Sequence, residues 1–149
     1  MKTLFDQQVL NETCNRICAL EPERERLWGK MTPAQMMAHC NATLSMASGQ
    51  TNLPRAFLGR ILGPIFKPGF VGEREFRRDG PTSPVLVISD QRDFETERAL
   101  LLRSVRAFGE GGTARCTRHP HIFFGMLTPE EWGRVMYKHL DHHLRQFGG

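Results

Sequence analysis

What this 149-residue sequence lacks narrows its class before any motif is read. Its four cysteines, Cys14, Cys18, Cys40 and Cys116, form neither a Cys-x-x-Cys pair nor a zinc-ribbon spacing. The opening MKTLFDQQ has no signal-peptide pattern, so the thiols are expected to stay reduced in a cytoplasmic protein. Cys14 and Cys18, one helical turn apart, are expected to act as small buried hydrophobes. No apolar run approaches the ~20 residues of a membrane-spanning helix. The longest, Ala56 to Phe70, is interrupted by Gly59, Arg60, Gly63, Pro64, Lys67 and Pro68. It is expected to pack onto the body of the protein, with a partner or lipid surface as the alternative. Long blocks of like charge are missing too. The net charge of +4 is spread out, and acidic residues alternate with basic ones at Glu21 to Arg26 and Glu73 to Asp79. That pattern describes solvated faces rather than a nucleic-acid footprint. The length fits one domain, residues 1–149, able to bury a real core.

The most informative stretch is the last one, TPEEWGRVMYKHLDHHLRQF, from Thr128 to Phe147. On a helical wheel Trp132, Val135, Met136, Leu140, Leu144 and Phe147 form one apolar arc, opposite Arg134, Lys138, Asp141 and Arg145. His139 and His143 fall inside the apolar arc. Residues four apart lie about 40° apart around a helix and about 6 Å along it, so both imidazoles can meet one metal ion. Buried imidazoles need partners, because an unpaired buried polar group costs roughly 1–3 kcal/mol. Two readings follow: a shared metal ion, or two core histidines bonded to neighbouring polar groups. His142 falls at the edge of the arc, either facing solvent or supporting its neighbours.

The rest of the chain reads as helices around a long connection. Leu4, Phe5, Val9, Leu10, Ile17, Cys18 and Leu20 recur at helical intervals from Thr3 to Leu20. A second helix starts at Thr32-Pro33-Ala34-Gln35, a capping box with proline at its first position, and ends at Gly49. Its inward stripe is Met36, Met37, Cys40, Leu44 and Ala47. His39 lies on the flank of that stripe, either as a boundary residue or as a third ligand. Residues 52–84 are rich in Gly and Pro, and predict a short helical piece near Pro54 to Leu62 within an ordered connection pinned by Phe66, Phe70 and Phe76. Val85 to Ile88 is expected to be extended. A third long helix runs from about Asp93 to Gly109, capped by Asp90 or Asp93, with Phe94, Leu100, Leu101, Val105 and Phe108 inward. The loop from Thr113 to Met126 carries His119 and His121, candidates for lining a pocket. Thr128-Pro129-Glu130-Glu131 repeats the capping device. Four substantial helices predict an all-α bundle.

Three stretches together resemble the DinB-like superfamily of four-helix bundle metalloproteins, most closely a branch of uncharacterised function. They are Met31 to Cys40; His119-Pro120 followed by Phe123 to Gly133; and HLDHHLRQ from His139 to Gln146. The similarity spans nearly the whole chain and is weakest in the middle connection. His121 and Ile122 stand between Pro120 and the aromatic pair, a departure from the pattern. The resemblance implies an up-down-down-up bundle with one crossover, a homodimer, and His39, His139 and His143 as three metal ligands.

Three imidazoles on a divalent ion leave positions open for water or substrate, an arrangement suited to catalysis. Zinc is the default ion, and nickel or iron also accepts three nitrogens. Characterised relatives in the superfamily include transferases and isomerases that use low-molecular-weight thiols. The expected function is therefore a metal-dependent enzyme acting on a small molecule, with thiol transfer preferred over hydrolysis. No general base is assigned: Asp141 faces outward, and Gln146 can orient a ligand but takes no proton. The rival is a non-catalytic, metal-stabilised binding protein, for which Cys40 or His121 would supply a fourth ligand. A second rival has no metal and is a helical interaction module.

Overall fold

Four of the five helices begin where a short polar side chain can take up free backbone N–H groups. In the computed structural model, which describes residues 1–149, α1 spans Gln7–Cys18 behind Asp6. Helix α2 spans Pro33–Ala47, and Thr32 and Gln35 complete the capping box in both directions. Helix α4, Phe94–Gly111, starts at Asp93, whose carboxylate accepts from Thr96 N–H. Helix α5, Pro129–Gln146, opens with the reciprocal Thr128–Glu131 box. The exception is α3, Phe57–Val71, which has no side-chain cap and contains Pro64 and Pro68.

Helices α4 and α5 each pack against both α1 and α2, so these four make the bundle. Its core holds Leu10, Ile17, Met36, Met37, Leu44, Leu101, Val105, Phe108, Trp132, Leu140 and Leu144, all at most 2% exposed. Across the seam between α1 and α5, Arg16 pairs with Asp141 at 2.7 Å. The expected inward stripes of α2 and α5 are buried. Leu100 of α4, expected inward, is 37% exposed, whereas Glu97 is buried and pairs with Arg92 at 3.2 Å. Cys18, read as buried, is exposed; Cys14 and Cys40 are buried, and all four thiols are free. No helix is long and apolar enough to cross a membrane.

The connection after α2 departs most from the sequence reading. A short helical piece near Pro54 to Leu62 was expected, and a full 15-residue helix forms instead. Its glycines are contact points rather than breaks. A Cβ on Gly59 would lie 2.7 Å from the Phe123 Cα, and one on Gly63 2.3 Å from the Phe123 oxygen. Only glycine lets the helix lie directly on that backbone. Further anchors are Ala56 N–H to the Ile122 carbonyl at 2.9 Å, Lys67 to the Met126 carbonyl at 2.7 Å, and Lys138 of α5 to the Phe70 carbonyl at 2.8 Å. Of the stretch Val85 to Ile88 expected to be extended, Val87 is, but residues 84–86 form a 3-10 turn in which Leu86 is drawn inward and its N–H bonds back to the Ser83 carbonyl.

Candidate metal centre

The wheel of α5 places His139 and His143 on the side facing α2, and the α2 stripe brings His39 against them. The His39 ring centroid is 4.9 Å from those of both His139 and His143, and the latter two are 4.6 Å apart. One ligand atom from each ring lies within 4.8 Å of the other two. His39 and His143 are buried and His139 is half-buried.

Hydrogen bonds fix the tautomers of His39 and His143. His39 Nδ1 is 2.8 Å from the Leu86 carbonyl, which can only accept, so Nδ1 carries the proton. His143 Nδ1 lies 3.1 Å from Gln146 Oε1, and the amide is oriented because Gln146 Nε2 donates to the Trp28 carbonyl at 2.6 Å. His139 Nδ1 is 3.3 Å from Thr43 Oγ1, which also lies 2.8 Å from the Cys40 carbonyl. The Nδ1 atoms of His39 and His143 therefore donate outward and their Nε2 atoms keep lone pairs; His139 has two arrangements, Nδ1–H donating to Thr43, or Nδ1 accepting from Thr43 with Nε2–H donating to His39. The Nε2 atoms of His39 and His139 face each other at 3.0 Å. In the first arrangement two lone pairs face each other and a shared cation relieves their repulsion; in the second the contact is an N–H···N hydrogen bond.

An extra proton is disfavoured. Burial lowers the pKa of His39. Burial, then the neighbouring His143 and His39, hold His139 well below the ordinary imidazole range. Burial and the charge of His39 bring His143 down to about 3. Three neutral imidazoles presenting nitrogen lone pairs suit a divalent transition metal. Metal–nitrogen bonds of ~2.0–2.1 Å at angles between octahedral and tetrahedral separate two nitrogens by roughly 2.9–3.4 Å, which brackets the 3.0 Å contact.

The other candidate residues stand around this trio rather than in it. Cys40 is fully buried, and its sulfur lies 3.7 Å from that of Met36. His121 is buried against Trp132 and Phe70, and its Nδ1 accepts from the N–H groups of Phe123 and Phe124 at 3.1 and 3.2 Å. His119 sits 3.0 Å from the carbonyl of its own neighbour, Pro120. The His142 ring lies 5.1 Å from that of His143 and 5.6 Å from that of Trp28. With Trp28, Phe76, Tyr137, Lys138 and Asp141 it borders a cleft of about 210 Å³ on the outer side of α5.

Sequence reasoning missed three contributors: the carbonyls of Leu86 and Trp28, and Gly29. Backbone acceptors leave no residue-type signal. Gly29 has φ of 77°, and a Cβ there would come within 2.3 Å of Gln146 Nε2. Its position just before the α2 capping box was the available clue.

A family profile described as a protein of unknown function (DUF1569) matches residues 2–148. No curated protein and no solved structure matches the chain.

Proposed function

Since the chain belongs to the DUF1569 family, whose description assigns no activity, we propose from the site itself that it is a divalent-metal-dependent enzyme acting on a small molecule. The single observation carrying this reading is the cluster of His39, His139 and His143, one ligand nitrogen of each lying within 4.8 Å of the other two. We read the whole chain as one DinB-like domain with up-down-down-up helices. His39, His139 and His143 are the ligands, and zinc or nickel, with iron as a third choice, is the ion.

An open coordination position favours catalysis over a purely structural role. Closed structural sites hold four protein ligands. Neither of the two residues that could complete such a set, Cys40 and His121, belongs to the cluster. A bound ion would supply Lewis acidity, lowering the pKa of a water or thiol placed on it. The chain's own groups do the rest. Gln146, Thr43 and the Leu86 carbonyl hold the imidazoles in register and raise their basicity. The cleft bordered by His142 lies on the outer side of α5, next to His143 in sequence but lined by none of the three ligands. Asp141 is paired to Arg16 at 2.7 Å and Arg145 at 3.6 Å, which leaves it a poor base. With no free carboxylate at the trio, a thiol that loses its proton readily is the preferred nucleophile, so S-transfer ranks above hydrolysis.

Cobalt substitution tests this order. Adding a simple alkyl monothiol to the cobalt-loaded protein should produce a sulfur-to-cobalt charge-transfer band. A loaded site whose spectrum ignores the thiol would remove the transferase reading and leave hydrolysis.

A further inference from the structure

The outer face of α5 carries a second group of side chains that the trio does not use. Tyr137, Lys138, Asp141, His142 and Arg145 lie on one stripe of the helix and border the cleft of about 210 Å³. The chain after α3 supplies another wall, where Phe76 stacks on Phe70 at 5.3 Å. The His142 ring stands between Trp28 and Phe76, 5.6 Å from the first and 6.2 Å from the second.

Charge is unevenly matched in this cleft. The Arg78 guanidinium lies 4.4 Å over the Trp28 ring, and the Lys138 ammonium 4.6 Å over the Phe76 ring. Two of the bordering acids are neutralised within the chain, Glu75 by Arg145 at 2.6 Å and Asp141 by Arg16 at 2.7 Å. Glu73, exposed at the rim, is in no ion pair. The two cations are in none either. Lys138 places two of its three N–H donors on the Phe70 and Gly72 carbonyls, at 2.8 and 2.6 Å, and Arg78 has only the Trp28 face. Two unpaired cations against one unpaired carboxylate leave one positive charge over.

From this imbalance we propose that the cleft is a second small-molecule site, one that takes a planar aromatic monocarboxylate. The ring of the ligand lies on the wall of Trp28, His142 and Phe76, where aromatic faces offer offset or edge-on stacking. Its carboxylate goes to Arg78, and half-buried Lys138 adds positive charge to the same cleft. A guanidinium stacked on an aromatic ring keeps its N–H fork free at the edge, ready for two parallel bonds to a carboxylate. A cationic ligand fits less well, because the chain's own cations already cover the Trp28 and Phe76 rings. The volume, below the ~300–1,000 Å³ of drug-sized sites, limits the ligand to about one ring and its acid group. None of the three metal ligands borders the cleft, so the site stands whether or not the trio holds an ion.

Benzoate is the probe, titrated into the full chain by calorimetry with tryptophan fluorescence alongside. The parent should bind about one benzoate with a Kd of ~1 mM or tighter. Trp28 should report it, since the other tryptophan, Trp132, is fully buried. Trp28→Phe should therefore lose the fluorescence change and keep the heat of binding. Arg78→Ala, at an exposed position, should raise the Kd about tenfold or more while leaving the far-ultraviolet circular dichroism unchanged. Benzylamine, with the same ring and the opposite charge, should bind at least about tenfold more weakly than benzoate. His39→Ala should bind benzoate as the parent does, which separates the cleft from a carboxylate landing on a metal ion. No saturable binding up to about 10 mM would overturn the proposal, as would benzylamine binding as tightly as benzoate. An affinity that Arg78→Ala leaves unmoved, or that vanishes in His39→Ala, would overturn it too.

Discussion

Helices α3 and α5 are built from similar numbers of residues and opposite logic. In α5 the bulky residues point inward, the charges point outward, and two histidines replace apolar residues in the buried arc. In α3 the smallest residues point inward and the largest outward. The first arrangement buries polar groups that must then be satisfied; Gln146, Thr43 and the Leu86 carbonyl do so in part, and the proposed ion would complete it. The second buries backbone against backbone and leaves apolar surface uncovered.

Substitutions in each helix should separate these two logics, and the largest effect belongs to α5. His139→Ala and His143→Ala should each abolish metal uptake in equilibrium dialysis. If either retains full stoichiometric metal, the site is not built as described. Gln146→Ala frees the His143 ring and should weaken metal affinity by about 10–100-fold while leaving stoichiometry at saturation unchanged. An unaltered affinity would make Gln146 a purely structural residue.

On α3 the effect is one of packing. Gly63→Ala forces a methyl against the Phe123 oxygen and should cost about 1–3 kcal/mol in chemical denaturation. Gly69→Ala, with nothing within 4 Å, should gain about 0.5–1 kcal/mol from helix propensity. Equal effects at the two positions would mean that α3 does not sit on the 123–124 backbone.

Acid should act on the α5 side. Imidazoles whose folded pKa lies below the ordinary 6.5 add stability that is complete above that value and is lost as pH falls through the folded one. With His143 at about 3 and His121 at about 4, the metal-free protein should lose stability progressively from pH 6.5 towards 3. A flat profile in urea titrations over this window would contradict neutral burial. The smallest effect belongs to His142→Ala, outside the trio, which should leave metal uptake nearly unchanged.

These contrasts also explain what could be read from the sequence. The capping boxes at Thr32 and Thr128 and the apolar stripe of α5 were legible because local chemistry and burial agree there. His39 was ambiguous on periodicity, since its flank position acquires meaning only when α5 packs beside it. Helix α3 was misread because glycine and proline are ordinarily breakers, and the contact that makes glycine necessary comes from residues 123–124, about sixty positions away. The Leu86 and Trp28 carbonyls were invisible for the same reason: any residue carries one, and only tertiary structure chooses which is used.

The central claim is that three converging imidazole nitrogens hold one ion. Its most direct test is elemental analysis of protein prepared without affinity tag or chelator and offered zinc or nickel, alongside His39→Ala. The account predicts about one equivalent per chain in the parent and none in the variant. A parent that takes up no metal, or a His39→Ala protein that binds as much as the parent, would contradict it.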